Sequence, residues 1–594
     1  MLFRSWEQYI KRRASGQGPE LFVNHEDAKE WLKQCAPLNY VDGAWLCHIH
    51  KITTPFALRG VTKDAWQTFS EELGDGELEK NHVFLYKNLL RDIGIDLPDG
   101  DNADFTHARH GMKDDQIWKA ATAQLLISLF PNDFLPEVLG FNMHFERLSV
   151  QTLKASKELP EFGISGYYFA LHVSIDNSDS GHSAMALATV IRFLSIVKET
   201  GLMNVQEAWK RIQAGYLLSQ SFEDKATLQM YESRVADILR NKACLSRKIH
   251  CTSRVRIGQR SLEAWLSSHS CNGSSGWKQD FLNALANARP WIYKGNSSKS
   301  LFMRELSWKG RMFGAFTNSE VESIRTWIDS LETDNANYQE RYWQTVGRHE
   351  HKEAPFALSS QDPAVDHPAF PPQQKLHKIE KHRHIFTTRP ALQASKVQLD
   401  ALLPIWFVHP CLLDNMVSSP YQTATPLASH ILRILRAESG YKPETSGIAG
   451  MDEQLHPSYN PGLIVIGLEM VRWHQLPDPT CLKDVLGEEN AEGASHVTIF
   501  AYAVLSWAMR PVQNGAFLLG LARAFLDLEV WVASRDDLLP KKTREGLRRL
   551  VKRKECCFEG CLEELKANVH KYSEFVGGYE LGRTEIEKAL EYAE

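Results

Sequence analysis

His172, Asp176, Asp179 and His182 crowd into HVSIDNSDSGHSAMA, residues 172–186, with Gly181 directly before the second histidine. The flanks ISGYYFAL and MALATVIRFLSIV are rich in core-type residues. Polar groups set in an apolar run are satisfied internally or put to use. On a continuous helix turning about 100° per residue, with His172 at zero, Asp176 falls at about +40°, Asp179 at about −20° and His182 at about −80°. All four then share roughly a third of the circumference. NSDSG is a poor helix former, so a distortion is expected there, and bulges inside helices often mark functional sites.

Two other stretches have the same character. In EELGDGELEKNHVFLYKNLL, Glu72 and His82 are ten residues apart, the separation of His172 and His182, and GDG between them implies a break or bulge. In FLPEVLGFNMHFERL, Glu137, His144 and Glu146 lie inside an apolar helical pattern. Glu137 and Glu146 fall on roughly opposite faces of a straight helix and should not both face one site.

Three helices, each offering carboxylate or imidazole from an apolar surface, suggest a bundle with metal in its core. Mixed His and carboxylate ligation without thiolate suits iron or manganese and leaves positions open for dioxygen. Structural zinc prefers a compact four-ligand set that includes cysteine. Six nitrogen and oxygen ligands exceed what one zinc needs, so two metals is the better count.

The elements that must position these groups read as helical almost throughout, so the expected fold class is all-α. Apolar residues recur at three and four spacings in QIWKAATAQLLISLF, MALATVIRFLSIVKE, SEVESIRTWIDSLE and VTIFAYAVLSWAMR. A chain of 594 residues is too long for one core. Gly347 to Pro390 is rich in Pro, His and charge and reads as a linker. The expected organisation is an N-terminal bundle over 1–310, a connecting helix and Pro/His-rich linker over 311–390, and a helical C-terminal domain over 391–594 with no legible role. No internal repeat is evident.

Net charge of −5 and a pI near 6.6 give no basic footprint for nucleic acid. The longest apolar stretches are short or, in GAFLLGLARAFLDLEVWVA, interrupted by Arg523, Asp527 and Glu529, so no membrane span is expected. The N-terminus lacks a signal-peptide apolar core, and a cytoplasmic address is the expectation. The cluster CCFEGC, with Cys556, Cys557 and Cys561, reads as free thiols. His48 and His50 in HIH read as core or surface histidines. HEH at 349–351 and KHRH at 381–384 read as solvated charge.

Taken in order, the three motifs EELGDGELEKNHVFLYKNLL, LPEVLGFNMHFERL and YFALHVSIDNSDSGHSAMA resemble the haem-oxygenase-like di-iron oxidases and oxygenases, the subgroup called iron-containing redox enzymes. The resemblance covers about half the chain, residues 35 to 300. It implies a seven-helix bundle, two Fe(II) ions and dioxygen as co-substrate. Carried over by position, it implies Glu72 and His82, then Glu146 or Glu137, then His172, Asp176 and His182 as ligands. The family's spacing on the last helix is tighter than the five residues between Asp176 and His182, so Asp179 competes with Asp176. Some members carry a further glutamate ligand on an earlier helix, which has no assigned counterpart in this sequence.

Helix length bears on the choice between the two glutamates. Glu146 lies 14 residues before the turn at Pro160, and His172 lies 12 after it. Glu137 would sit about 16 Å too far along a straight bundle at 1.5 Å per residue, which favours Glu146.

The function this implies is an O2-dependent, non-haem di-iron oxidation of a small organic substrate. N-oxygenation of an amine and oxidative C–C or C–H cleavage of an amino- or fatty-acid-like compound are the family's chemistries, and specialised metabolism is the expected setting. The scheme admits an external electron donor and a homodimer. The rival expectations are a helical scaffold with a vestigial site, or a zinc- or manganese-dependent hydrolase. Tyr167, Tyr168 and Phe145 are candidates for lining a substrate pocket.

Overall fold

Capping residues set where the helices begin. Asn24 accepts from the Asp27 amide at the start of His25–Asn39, and Asn81 accepts from Phe84 at the start of His82–Asp92. Asp114, Ser149, Thr425 and Ser495 do the same for Asp115–Leu126, Val150–Glu158, Pro426–Glu438 and His496–Ala508. Proline opens Pro131–Phe145 and Pro511–Ser534, where its missing N–H costs nothing. The computed structural model describes residues 2–246, 256–265, 277–331, 390–393, 397–443, 450, 451, 454, 460–488 and 494–591.

The protein is all-α. Among the described residues the only strands are the short antiparallel pair Arg256–Ile257 and Arg260–Ser261. Contacts divide the chain into two units, one of Met1–Gly215 with Arg348–Glu594, the other of Tyr216–Gly347. The expected boundaries at 310 and 390 do not coincide with the ends of these units. The second unit has its own core, built on Val235, Ile257, Phe281, Ile324, Trp327 and Ile328.

Within the first unit, Arg59–Glu72 and Pro131–Phe145 both pack on His182–Thr200, while His25–Asn39 packs on His82–Asp92 and Asp115–Leu126. Leu32, Ala36, Val83, Tyr86, Tyr168 and Phe169 form part of the core between them. The C-terminal helices belong to the same unit. Pro426–Glu438 packs on Lys541–Lys566 and also on the turn Gly74–Gly76. There Arg436 pairs with Asp75 and donates to Ser70 Oγ at 2.8 Å. Asp75 is a non-glycine residue at φ 54°, a conformation that needs such support. Gly450 braces Arg59–Glu72: it donates to Glu71 Oε1 at 3.1 Å and accepts from Gln67 at 2.7 Å.

Where the sequence suggested one distorted helix, the chain breaks outright. Tyr167–Ile175 ends before Asp176, and a new helix starts at His182. Likewise Arg59–Glu72 ends at Glu72, and His82 opens the next helix. The stretch between Glu146 and Pro160 is also not one helix, because Pro131–Phe145 stops and Val150–Glu158 restarts. The straight-bundle ruler that favoured Glu146 therefore measured a helix that does not exist.

Candidate metal centre

Two groups of four residues, each with three buried members and one half-buried, converge in the N-terminal helices. Asp42, Glu72, His82 and His172 form one, and Glu72, Glu146, Asp176 and His182 form the other. In each, one nitrogen or oxygen per residue lies within 4.8 Å of all the others. Glu72 belongs to both. The structure brings together all six of Glu72, His82, Glu146, His172, Asp176 and His182, and adds Asp42.

Helix ends do the positioning. Glu72 is the last residue of its helix, and Glu146 and Asp176 are the residues just after theirs. His82 and His182 are the first residues of theirs. Asp42 sits in the turn after His25–Asn39. Gly43 beside it has φ +86°, and a side chain there would come within 3.0 Å of Glu72 Cβ. Only glycine lets that turn close on Glu72.

Glu72 reaches His82 with one oxygen and lies 3.1 Å from His182 Nδ1 with the other. His182 Nδ1 is also 3.2 Å from Glu146 and 3.4 Å from Asp176. Asp42 Oδ2 lies 3.3 Å from His172 Nε2 and 3.4 Å from His82 Nδ1. The far nitrogens of two histidines are held from behind. His172 Nδ1 donates to the Tyr168 carbonyl at 2.8 Å, and His182 Nε2 faces Glu71 at 3.1 Å. Those contacts fix the ring orientation and leave the other nitrogen facing the cluster. The Tyr168 hydroxyl sits 3.0 Å from Asp42 Oδ2.

The electrostatics are those of charges forced together out of water. Burial pushes Glu146 up to about 8 although His182 beside it pulls the other way. Burial opposes the His82 imidazolium, but Glu72 and Asp42 hold it up at about 10. Glu72 is held well below the usual carboxylate range, its two histidines outweighing the burial that would raise it. Protons here occupy oxygens and nitrogens for which a metal ion would compete.

Glu137 and Asp179 lie outside both groups. Glu137 is spent on a buried two-pronged pair with Arg211, at 2.6 and 2.7 Å. Asp179 is exposed in the loop that Asn177 organises, its amide donating to the Asn177 side chain at 3.0 Å. We expect Asp179→Ala to leave bound metal and melting temperature unchanged. Glu137→Ala should cost about 3–5 kcal/mol by stranding Arg211, while the protein that still folds keeps its metal. Metal analysis with thermal melts of both variants checks this; metal lost from folded Glu137→Ala would place Glu137 in the site.

Other expectations resolve simply. His50 is satisfied by Thr62 and Arg59, each at 2.8 Å, and His48 and His144 join neither group. Cys556, Cys557 and Cys561 lie on Lys541–Lys566, and none of the three is in a disulfide. HEH and KHRH lie outside the described residues. Tyr167 is exposed, Tyr168 packs on His172 at 4.5 Å between centroids, and Phe145 packs on Trp45 at 4.3 Å. Sequence reasoning missed Asp42 and Glu71. The available signal was an acid next to a glycine, opening the apolar run GAWLCHI.

Among the described residues no helix is long and apolar enough to cross a membrane. No curated protein and no solved structure matches the chain. One family model does, over residues 29–216, and its description is iron-containing redox enzyme. The matched segment runs from the helix before Asp42 to beyond His182 and so encloses both groups. Residues 29–216 thus match the iron-containing redox enzyme family that the three motifs resemble, and the class of activity that family has is that of an oxidoreductase.

Proposed function

We propose that the protein is a non-haem di-iron oxidase or oxygenase that uses dioxygen on a small organic substrate. Asp42, Glu72, His82 and His172 would hold one iron, Glu72, Glu146, Asp176 and His182 the other, with Glu72 shared. The observation that carries this reading is the convergence of two four-ligand groups on one common carboxylate. Two further facts support the fit. Two buried atoms at the centre have no hydrogen-bond partner, His82 Nε2 and Glu146 Oε1. Such atoms are costly unless something else satisfies them. The charges also match, since four carboxylates balance two divalent cations and leave three histidines neutral.

Iron held there supplies the electrons that reduce dioxygen, which side chains alone cannot do. The chain's own part is to hold, orient and enclose. Glu71 and the Tyr168 carbonyl keep His182 and His172 turned inward. His82 and His182 are fully buried, which keeps water from the reacting groups. The substrate classes are an amine for N-oxygenation, or an amino- or fatty-acid-like compound for C–H or C–C cleavage. Putting one oxygen atom into substrate and the other into water takes two added electrons, so that route needs an external donor.

Protein loaded anaerobically with Fe(II) should hold two irons per chain and give a transient visible absorption on mixing with oxygen. A single bound ion, or two that ignore oxygen, would reject the reading. A single zinc would point to a hydrolase instead.

A further inference from the structure

The C-terminal helices hold a second buried cluster of ligand-type side chains. His409, Glu438 and Glu529 bring ligand atoms within 4.8 Å of one another, and all three are buried. At their meeting point lies the ammonium of Lys554, itself fully buried. It is 2.6 Å from Glu438 Oε1, 2.5 Å from Glu529 Oε1 and 3.3 Å from His409 Nε2. Glu529 Oε2 has no hydrogen-bond partner.

Four positions of this cluster, Lys554 included, follow four of the metal centre, while His82, Glu146 and Asp176 have no counterpart in it. In the N-terminal half Asp42 faces His172 at 3.3 Å, and Glu72 faces His182 at 3.1 Å. In the C-terminal half His409 faces Glu529 at 3.2 Å, and Glu438 faces Lys554 at 2.6 Å. Chain order is the same in both sets. Asp42 and Glu72 are 30 positions apart, from 42 to 72, and His409 and Glu438 are 29, from 409 to 438. Asp42 and His409 each follow a helix, His25–Asn39 and Leu399–Val408. Glu72 and Glu438 each end a helix, and two residues on comes a glycine in the left-handed region, Gly74 at φ +71° and Gly440 at φ +74°.

We infer that the helices from Leu399 onward repeat the metal bundle, and that the cation position of this second copy is filled by the chain's own Lys554. Its ammonium stands where a divalent ion would stand, so the site is closed to metal as long as the lysine is present. Truncating Lys554 should open it to a first-row divalent ion, because one imidazole and two carboxylates remain aimed at the vacated point. The protonation pattern agrees. Burial opposes the Lys554 charge, but Glu438 and Glu529 hold it on, and burial with Lys554 alongside keeps His409 low, at about 4.

The test uses the full chain and Co(II) as the probe. After loading and gel filtration, Lys554→Ala should carry one more cobalt per chain than wild type. The double variant Lys554→Ala/Glu529→Gln should return to the wild-type count. Because the readout is a difference, it does not depend on how many ions the N-terminal centre takes or on whether that centre reacts with oxygen. Cobalt should also raise the melting temperature of Lys554→Ala by several degrees more than that of the double variant. If Lys554→Ala folds only poorly, refolding it with Co(II) should rescue it, and Lys554→Gly should behave alike. A folded Lys554→Ala that gains no ion overturns the inference, as do variants that cobalt cannot rescue. So does a wild-type protein that loses an ion on Glu529→Gln, since its site would then hold metal beside the lysine.

Discussion

Glu72→Ala is expected to abolish binding of both irons, because Glu72 is the one residue common to the two ligand groups. Asp42→Ala should remove only the ion shared with His82 and His172, and Asp176→Ala only the other. Glu71 gives a graded comparison. It touches the far nitrogen of His182 and belongs to neither group, so Glu71→Gln should weaken one ion about 10–100-fold without eliminating it. Counting iron per chain across these four variants, with circular dichroism to establish folding, separates the outcomes. If folded Glu72→Ala retains one ion at wild-type affinity, the groups do not share a bridge and the two-site arrangement is wrong.

Gly181→Ala should be nearly as damaging, for a steric reason. A Cβ at Gly181 would stand 1.9 Å from the Ile175 carbonyl oxygen and 2.8 Å from Asn177 Nδ2. Neither neighbour is free to retreat. Ile175 ends its helix, and the Asn177 side chain accepts from the amides of Asp179, Ser180 and Gly181. The loop must open, and His182 moves with it. We expect a loss of about 2–4 kcal/mol and of the ion held by Glu146, Asp176 and His182, with the other ion kept. Gly577→Ala is the control. It has open space around it inside Val569–Glu591 and should gain up to about 1 kcal/mol. Chemical denaturation and metal counts read both effects. A Gly181→Ala protein with wild-type stability and full metal would show that the loop tolerates a side chain the geometry forbids.

The sequence made the ligand types legible because buried chemistry leaves a contrast. His172, His182 and Glu146 are polar letters in apolar text, and such letters are rarely accidental. What it could not convey was the path between them. A helical wheel placed His172, Asp176, Asp179 and His182 on one face because it assumed one helix. The structure breaks after Ile175, keeps Asp176 inward and turns Asp179 out to solvent. Asp42 left no such contrast. It sits in a turn without periodicity, and its burial depends on a helix that ends thirty residues later in the chain. Glu71 was hidden differently, since two adjacent glutamates near a helix end look like a solvated terminus. The C-terminal half was read as separate and mute, yet Arg436 and Gly450 reach the helix that carries Glu72. Long-range pairings of that kind have no local signature.

Five of the seven residues around the centre stand at helix ends, and only His172 lies within a helix. The terminal turns of a helix lack half of its internal hydrogen bonds, and they are the first part to fray. A ligand in mid-helix can move only if the rod moves, whereas a ligand at a terminus can swing while the rod stays still. The centre therefore combines a stiff frame with a compliant rim. Carboxylates mounted on such a rim can change their grip on an ion over a fraction of an ångström without disturbing the packed helices behind them. That compliance is what a site must have if the charge it encloses changes during each turnover.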